Sequence, residues 1–252
     1  MKGVVLAGGL GTRLHPLTKI TNKHLLPVYN RPMIYYPIQA LINIGTKDIL
    51  LVTGGRRAGD FLRLLGNGRE FGLKHIHYTY QEQEGGIAEA LALAEDFADG
   101  DKICVILGDN IIEKSVRRAA DAFRLQPAGA KIILKETDEA RRFGVAELAD
   151  GKVVGIEEKP ANPKSNYAVT GFYFYDGQVF DIVRTLEPSG RGELEITDVN
   201  NAYIARGQMT YDVLDGWWTD AGTIESIHRA ANLVREGGAN RVDDGVEGRR
   251  TT

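Results

Sequence analysis

At 252 residues the chain is long enough for one or two domains, and its 43% hydrophobic and 26% charged residues are the balance of an ordinary globular protein with a sizeable core. A formal net charge of −3, with no long basic stretch, argues against non-specific nucleic-acid binding. A polyphosphate ligand must then be held by local cations, not by an overall basic field.

The chain opens on a short apolar run, 4–7, too brief for a signal h-region and followed at once by glycines. No stretch approaches the ~18 apolar residues of a membrane span. The chain therefore reads as cytoplasmic. In order, strands are predicted at 3–7, 49–53, 75–80, 103–107 and 131–135, and helices at 33–44, 59–65, 87–97 and 115–124. Val- and Ile-rich strands separated by helices predict parallel strands with right-handed crossovers. Ligands of such sheets gather beyond the carboxyl ends of the strands. The single cysteine, Cys104, excludes an intrachain disulfide and reads as an inert core thiol.

The second half has a different texture. Strands at 144–148 and 152–157 flank Ala149-Asp150-Gly151, a hairpin signal. A strand at 169–175, helices at 178–186 and 197–205, a strand at 209–214 and a helix at 223–235 follow. The expected fold is α/β: a Rossmann-like, mostly parallel central sheet with helices on both faces and an antiparallel excursion. One domain is expected over 1–236, with a flexible tail over 237–252.

The first strand runs into Gly8-Gly9-Leu10-Gly11-Thr12-Arg13-Leu14. Three glycines let the backbone bring N–H groups close to an anion, and Arg13 adds a fork of donors suited to phosphate oxygens. The loop is neither the dinucleotide fingerprint nor a Walker A motif. Taken alone it is as compatible with a plain tight turn.

Lys23-His24-Leu25-Leu26-Pro27 follows about ten residues after Arg13. The two blocks together resemble the signature of sugar-phosphate nucleotidyltransferases. The continuation Val28-Tyr29-Asn30-Arg31-Pro32-Met33 is similar to the thymidylyl-transferring branch of that family. The resemblance implies dTTP and glucose 1-phosphate as substrates, Mg²⁺ as cofactor and a homo-oligomer. It implies that Gly8, Gly9, Gly11, Thr12 and Arg13 hold the triphosphate, and that Arg13, Lys23 and Lys159 are the catalytic cations.

Other residues join this set. Asp109 stands at the carboxyl end of a strand, and Asp220 lies far away in Trp217-Trp218-Thr219-Asp220-Ala221-Gly222. Two carboxylates suit a Mg²⁺ that keeps waters and takes its other ligands from phosphates, and the resemblance assigns both acids to the metal. The Gln81 amide can pair with the N3–H and O4 edge of thymine or uracil. The resemblance adds Gly86 beside the base. Glu82 and Glu84 read as a solvated rim, because carboxylates would repel the substrate. The resemblance places Glu158 on sugar hydroxyls, Lys159 and Arg191 on the sugar's phosphate, and Gly144 and Val169 along the sugar pocket. The adjacent Trp217 and Trp218 read as core or interface, with core preferred, although neighbours on a strand would face opposite ways.

The resemblance covers roughly 1–234, with departures. His24 stands where many longer relatives have Gln, Phe143 where Tyr is frequent, and Ala221 where Thr is expected. Longer relatives continue past this point with helices that help form a regulatory site, so the chain reads as the short form. Uridylyl transfer, a non-catalytic nucleotide-sugar-binding regulator and a glycosyltransferase stay open as alternatives. Retention of Lys23, Asp109 and Asp220 argues against the regulator. The loop, and the lack of an Asp-x-Asp motif at Asp109, argue against the glycosyltransferase.

Overall fold

A computed structural model describes residues 1–55 and 58–242. In chain order its strands are β1 (Lys2–Ala7), β2 (Pro27–Val28), β3 (Arg31–Pro32), β4 (Asp48–Gly54), β5 (His75–Gln81), β6 (Ile103–Leu107), β7 (Asn110–Ile112), β8 (Ala130–Glu136), β9 (Gly144–Ala149), β10 (Lys152–Glu158), β11 (Tyr167–Tyr175), β12 (Met209–Val213) and β13 (Trp218–Asp220). The α-helices are α1 (Tyr35–Asn43), α2 (Ala58–Leu65), α3 (Ile87–Ala92), α4 (Glu95–Ala98), α5 (Arg117–Leu125), α6 (Gln178–Val183), α7 (Ile196–Ala205) and α8 (Ile224–Gly237).

β5, β4, β1 and β6 run side by side and parallel. Alternation along β1 explains the two-sided core. Val4 and Leu6 pack with α3, α6 and α7 on one face, and Val5 and Ala7 with α1, α2 and α5 on the other. Cys104 is fully buried in the second cluster, where loss of hydration pushes its thiol well above its ordinary range.

Past β6 the expected parallel order is interrupted. β11 lies antiparallel against β6 and separates it from β8, which pairs with β11 antiparallel and with β12 parallel. The strand at 131–135 is thus present but is not a neighbour of the parallel block. Sequence periodicity sets a strand's two faces but not its partners. The β9–β10 hairpin turns at Asp150 and Gly151, both left-handed (φ 49° and 72°), and joins the sheet through Val145 of β9 and Ala168 of β11. This is the expected antiparallel excursion.

Two other expectations change. The helix expected over 87–97 splits into α3 and α4, because the Ala94 N–H bonds Leu91 O in a tightened turn that carries Ala94 and Ala98 into the core. The first residues of the expected tail are packed. Asn240 is buried, its N–H donating to Ile112 O and its side-chain amide to Tyr36 O, while Arg241 pairs with Glu113. The rest of the expected tail, 243–252, lies outside the described residues. No helix among the described residues is long and apolar enough to cross a membrane.

Two short pairings were not legible in the sequence. β2 pairs with β3, and β13 pairs with β7 so that Asp220 stands opposite Asn110. The second pairing brings the late acid to the end of β6.

Candidate active site

A cavity of about 570 Å³ opens beyond the carboxyl ends of the parallel strands. Every residue singled out above for substrate, catalysis or metal lines it: Gly8, Gly9, Gly11, Thr12, Arg13, Lys23, Gln81, Gly86, Asp109, Gly144, Glu158, Lys159, Val169, Arg191 and Asp220.

One end is built by the glycine loop. Gly11 is left-handed at φ 68°, and a Cβ there would meet the Lys23 side chain at 2.8 Å, so glycine is required on two grounds. Gly11 O accepts from Thr18 Oγ1 at 2.8 Å, and Thr12–Leu14 form a 3-10 turn. Lys23 opens a second 3-10 turn capped by Asn22, whose buried Oδ1 accepts from the His24 N–H at 2.9 Å and from the His24 ring at Nδ1 at 2.8 Å. Burial, reinforced by the adjacent Lys23 charge, lowers the His24 pKa to about 3, so the imidazole is neutral.

Lys23 Nζ donates to Asp109 Oδ2 at 2.6 Å, and Asn110 Nδ2 donates to Oδ1 at 3.0 Å. Burial alone would push the Asp109 carboxyl up, but Lys23 and His24 beside it, with the hydrogen bonds from Lys23 and Asn110, together outweigh that and hold the group well below the usual carboxylate range. Asp220 moves the other way. Burial and the neighbouring Asp109 carboxylate raise it, against Arg142, Arg13 and Lys23. Around Gly222, the point where a Cβ would sit lies 3.3 Å from Asp220 Oδ2, 3.7 Å from Asp109 Oδ2 and 3.3 Å from Arg13 Nη2.

Gln81, buried at the end of β5, donates through Nε2 to Gly86 O at 3.3 Å. Glu84 is not a free rim residue. Its Oε1 accepts from the Leu10 N–H at 2.7 Å, occupying an amide of the glycine loop. A carboxylate is itself an anion and satisfies the donor that would otherwise face a phosphate.

The other end comes from the antiparallel excursion. Gly144 and Glu158 are paired across β9 and β10, and Val169 lies on β11. Glu158 Oε2 accepts from Thr197 Oγ1 at 2.7 Å, and Oε1 lies 3.1 Å from Lys159 Nζ and 3.8 Å from Arg191 Nη2. Lys159 has φ 44°, a strained setting for a lysine, and its N–H donates to Phe143 O at 3.0 Å. Arg191 is gripped by Glu195, with Nη2 at 2.8 and 2.9 Å from the two carboxylate oxygens.

The family model for nucleotidyl transferases matches residues 2–237. The chain belongs to that family. Glucose-1-phosphate thymidylyltransferase of Neisseria meningitidis is 44% identical over 93% of this chain and 83% of its own length. That of Xanthomonas campestris is 45% identical over 92% and 80%. A Bacillus anthracis protein assigned as a glucose-1-phosphate thymidylyltransferase, solved with sucrose, superposes at TM-score 0.90 with 51% identity over 94% of this chain and 96% of that one. A UDP-glucose pyrophosphorylase bound to UDP-glucose shares the fold at TM-score 0.81 and 23% identity, over 93% and 98%.

Within this nucleotidyl transferase, sequence reasoning missed several lining residues. Trp218 is one. Trp217 packs against the Val28–Met33–Tyr36 cluster as core, but Trp218 lines the cavity, lies tilted against Phe143 with ring centroids 4.7 Å apart and donates to Asn110 Oδ1 at 2.7 Å. Neighbours on a strand face opposite ways, which is the one signal that could have separated them. Arg142, 3.6 Å from Asp220 and 2.8 Å from Glu139, Thr197 and Glu195 are further lining residues. None carries a local motif that marks it.

Proposed function

We propose that this nucleotidyl transferase transfers a thymidylyl group from dTTP to glucose 1-phosphate, giving dTDP-glucose and pyrophosphate, in the cytoplasm and as a homo-oligomer. The supporting observation is the meeting of two differently equipped ends in one cavity. The glycine loop, Lys23 and paired acids suit a triphosphate, and Glu158, Lys159 and Arg191 suit a phosphorylated polyol. The names of the relatives supply the base and the sugar.

Family members generally use a divalent metal. Asp109 and Asp220 fit one, since an oxygen of each approaches the same point beside Gly222 and the Asp109 charge disfavours that of Asp220. Mg²⁺ is the ion their all-oxygen chemistry suits, and when bound it supplies positive charge to phosphate oxygens.

A sugar-phosphate oxygen attacks the α-phosphorus of dTTP. The new P–O bond forms as the bond to the β-phosphate bridging oxygen breaks, and pyrophosphate leaves on the opposite side. A phosphate is already nucleophilic, so the protein's task is to bring two anions together and balance their charge. The loop amides and Arg13 hold the triphosphate. Lys23 stands beside the α-phosphate and the attacking oxygen. Lys159 and Arg191 hold the acceptor phosphate, Glu158 the sugar hydroxyls, Gly144 and Val169 the pocket wall, and Gln81 and Gly86 the base.

The test is pyrophosphate release with Mg²⁺, glucose 1-phosphate and each nucleoside triphosphate in turn. Release with dTTP is expected to exceed that with UTP. Equal or greater release with UTP replaces the base assignment, and no release with any sugar phosphate removes the enzymatic one. Light scattering reads the oligomer.

A further inference from the structure

The opposite edge of the sheet carries a second cluster of potential ligands. Asp48 begins β4 and stands directly across from His75, which begins β5. His77 follows two residues on and so presents to the same face. One nitrogen of each ring and one Asp48 oxygen lie within 4.8 Å of one another. His75 Nδ1 and Asp48 Oδ1 are 3.7 Å apart, too far for a hydrogen bond. An ion with Zn–N and Zn–O distances of about 2.0–2.2 Å fits between them after small rotations of exposed side chains.

The charges around the cluster leave it accessible to a cation. Lys47 and Lys74 each neighbour a cluster residue in sequence but lie outside β4 and β5 and are exposed, where water screens their charge. On the cluster's own face His77 packs 5.2 Å from the Phe97 ring. Lys2, 5.6 Å from that ring, is engaged by the Phe97 and Ala98 carbonyls and by Asp101.

We propose that Asp48, His75 and His77 form a separate structural site for a borderline divalent transition-metal ion, zinc by preference, that staples the edge strand β5 to β4. The donor set distinguishes it from the acids of the cavity. Two imidazoles and one carboxylate suit Zn²⁺, Ni²⁺ or Cu²⁺, whereas an all-oxygen pair suits Mg²⁺. β5 is the last strand of the sheet and carries Gln81 at its far end. An ion at its start therefore fixes a strand that has a ladder partner on one side only. The site is independent of the transfer reaction.

The probe is Zn²⁺ added to the full chain in excess Mg²⁺, followed by calorimetry and thermal unfolding. Co²⁺ and Cu²⁺ serve as spectroscopic substitutes. One Zn²⁺ per chain, a raised unfolding temperature and a two-nitrogen Cu²⁺ signal are expected. Asp109→Asn/Asp220→Asn should keep all three. His75→Ala/His77→Ala should weaken Zn²⁺ at least tenfold and abolish the thermal shift, with pyrophosphate release in Mg²⁺ unchanged. His77→Gln alone, which keeps a polar side chain of similar length, should also weaken it. Unaltered zinc affinity in the double histidine variant, loss of binding in the double aspartate variant, or no binding at micromolar Zn²⁺ overturns the proposal.

Discussion

At the proposed donor end of the cavity, Lys23 and Asp109 form a 2.6 Å pair whose side chains are each only 13% exposed. At the proposed acceptor end, Lys159 and Arg191 are 50% and 47% exposed and meet Glu158 at 3.1 and 3.8 Å. The contrast follows from the scaffold. Asp109 follows the end of a parallel strand buried on both faces and Lys23 opens a capped 3-10 turn against it, where an uncompensated charge is costly and geometry is held by packing. Acceptor groups sit on a hairpin and a loop at the rim, where water screens each contact to about 0–1 kcal/mol in the free protein. The donor end is thus built for fixed electrostatics and the acceptor end for adjustable recognition. Changes at the first should fall on kcat, and at the second on KM.

The largest expected effect tests that division. Lys23→Ala or Asp109→Asn should lower kcat on the order of a hundredfold or more, the usual consequence of removing one preorganised electrostatic contact. Turnover near normal in either folded variant breaks the donor half of the comparison.

The next effect probes the floor of the donor end. His24 is neutral with its pKa lowered to about 3, while an unfolded chain takes up that proton near the ordinary 6.5. Its contribution is complete above pH 6.5 and is lost as pH falls toward 3, because only the unfolded state gains the proton in between. Between neutrality and pH 5 that amounts to about 2 kcal/mol. Denaturant unfolding of His24→Gln across this range should lack that part of the slope; an unchanged slope assigns the acid sensitivity elsewhere.

A smaller effect is expected at the acceptor end. Lys159→Ala should raise KM for glucose 1-phosphate about tenfold with kcat less affected, as for loss of one charge-assisted contact at a half-exposed site. A kcat loss as large as that of Lys23→Ala erases the distinction between the two ends. The smallest concerns Glu84, whose carboxylate occupies the Leu10 amide. Glu84→Gln should tighten triphosphate binding a few-fold, roughly 0.5–1 kcal/mol. Glu82→Gln, on the same exposed loop, is the control for general charge removal, and an equal gain there argues against a specific contact.

Much of the site was legible because the family signature is carried by short contiguous blocks. Gly8–Arg13, Lys23, Gln81 and Glu158–Lys159 are each recognisable within a few residues. Arg142, Thr197 and Trp218 were not, because each depends on a partner more than fifteen residues away or on which side of a strand it faces, and Glu195, four residues from its partner Arg191, carries no motif that marks it. Glu84 was misread for a related reason. Its like charge to a phosphate was visible in the sequence, but the Leu10 N–H that it satisfies in the free protein was not.

Composition, strand-helix alternation and the glycine loop were enough to determine an α/β chain with a tight glycine turn after its first strand. These are local properties: side-chain period, backbone permissiveness and charge. Only the tertiary structure decided that β11 enters between β6 and β8, and that β13 pairs with β7 to set Asp220 opposite Asn110. Strand pairing is chosen by packing across the whole sheet, and no period in the sequence records it. That pairing brings two acids far apart in sequence together beside Arg13.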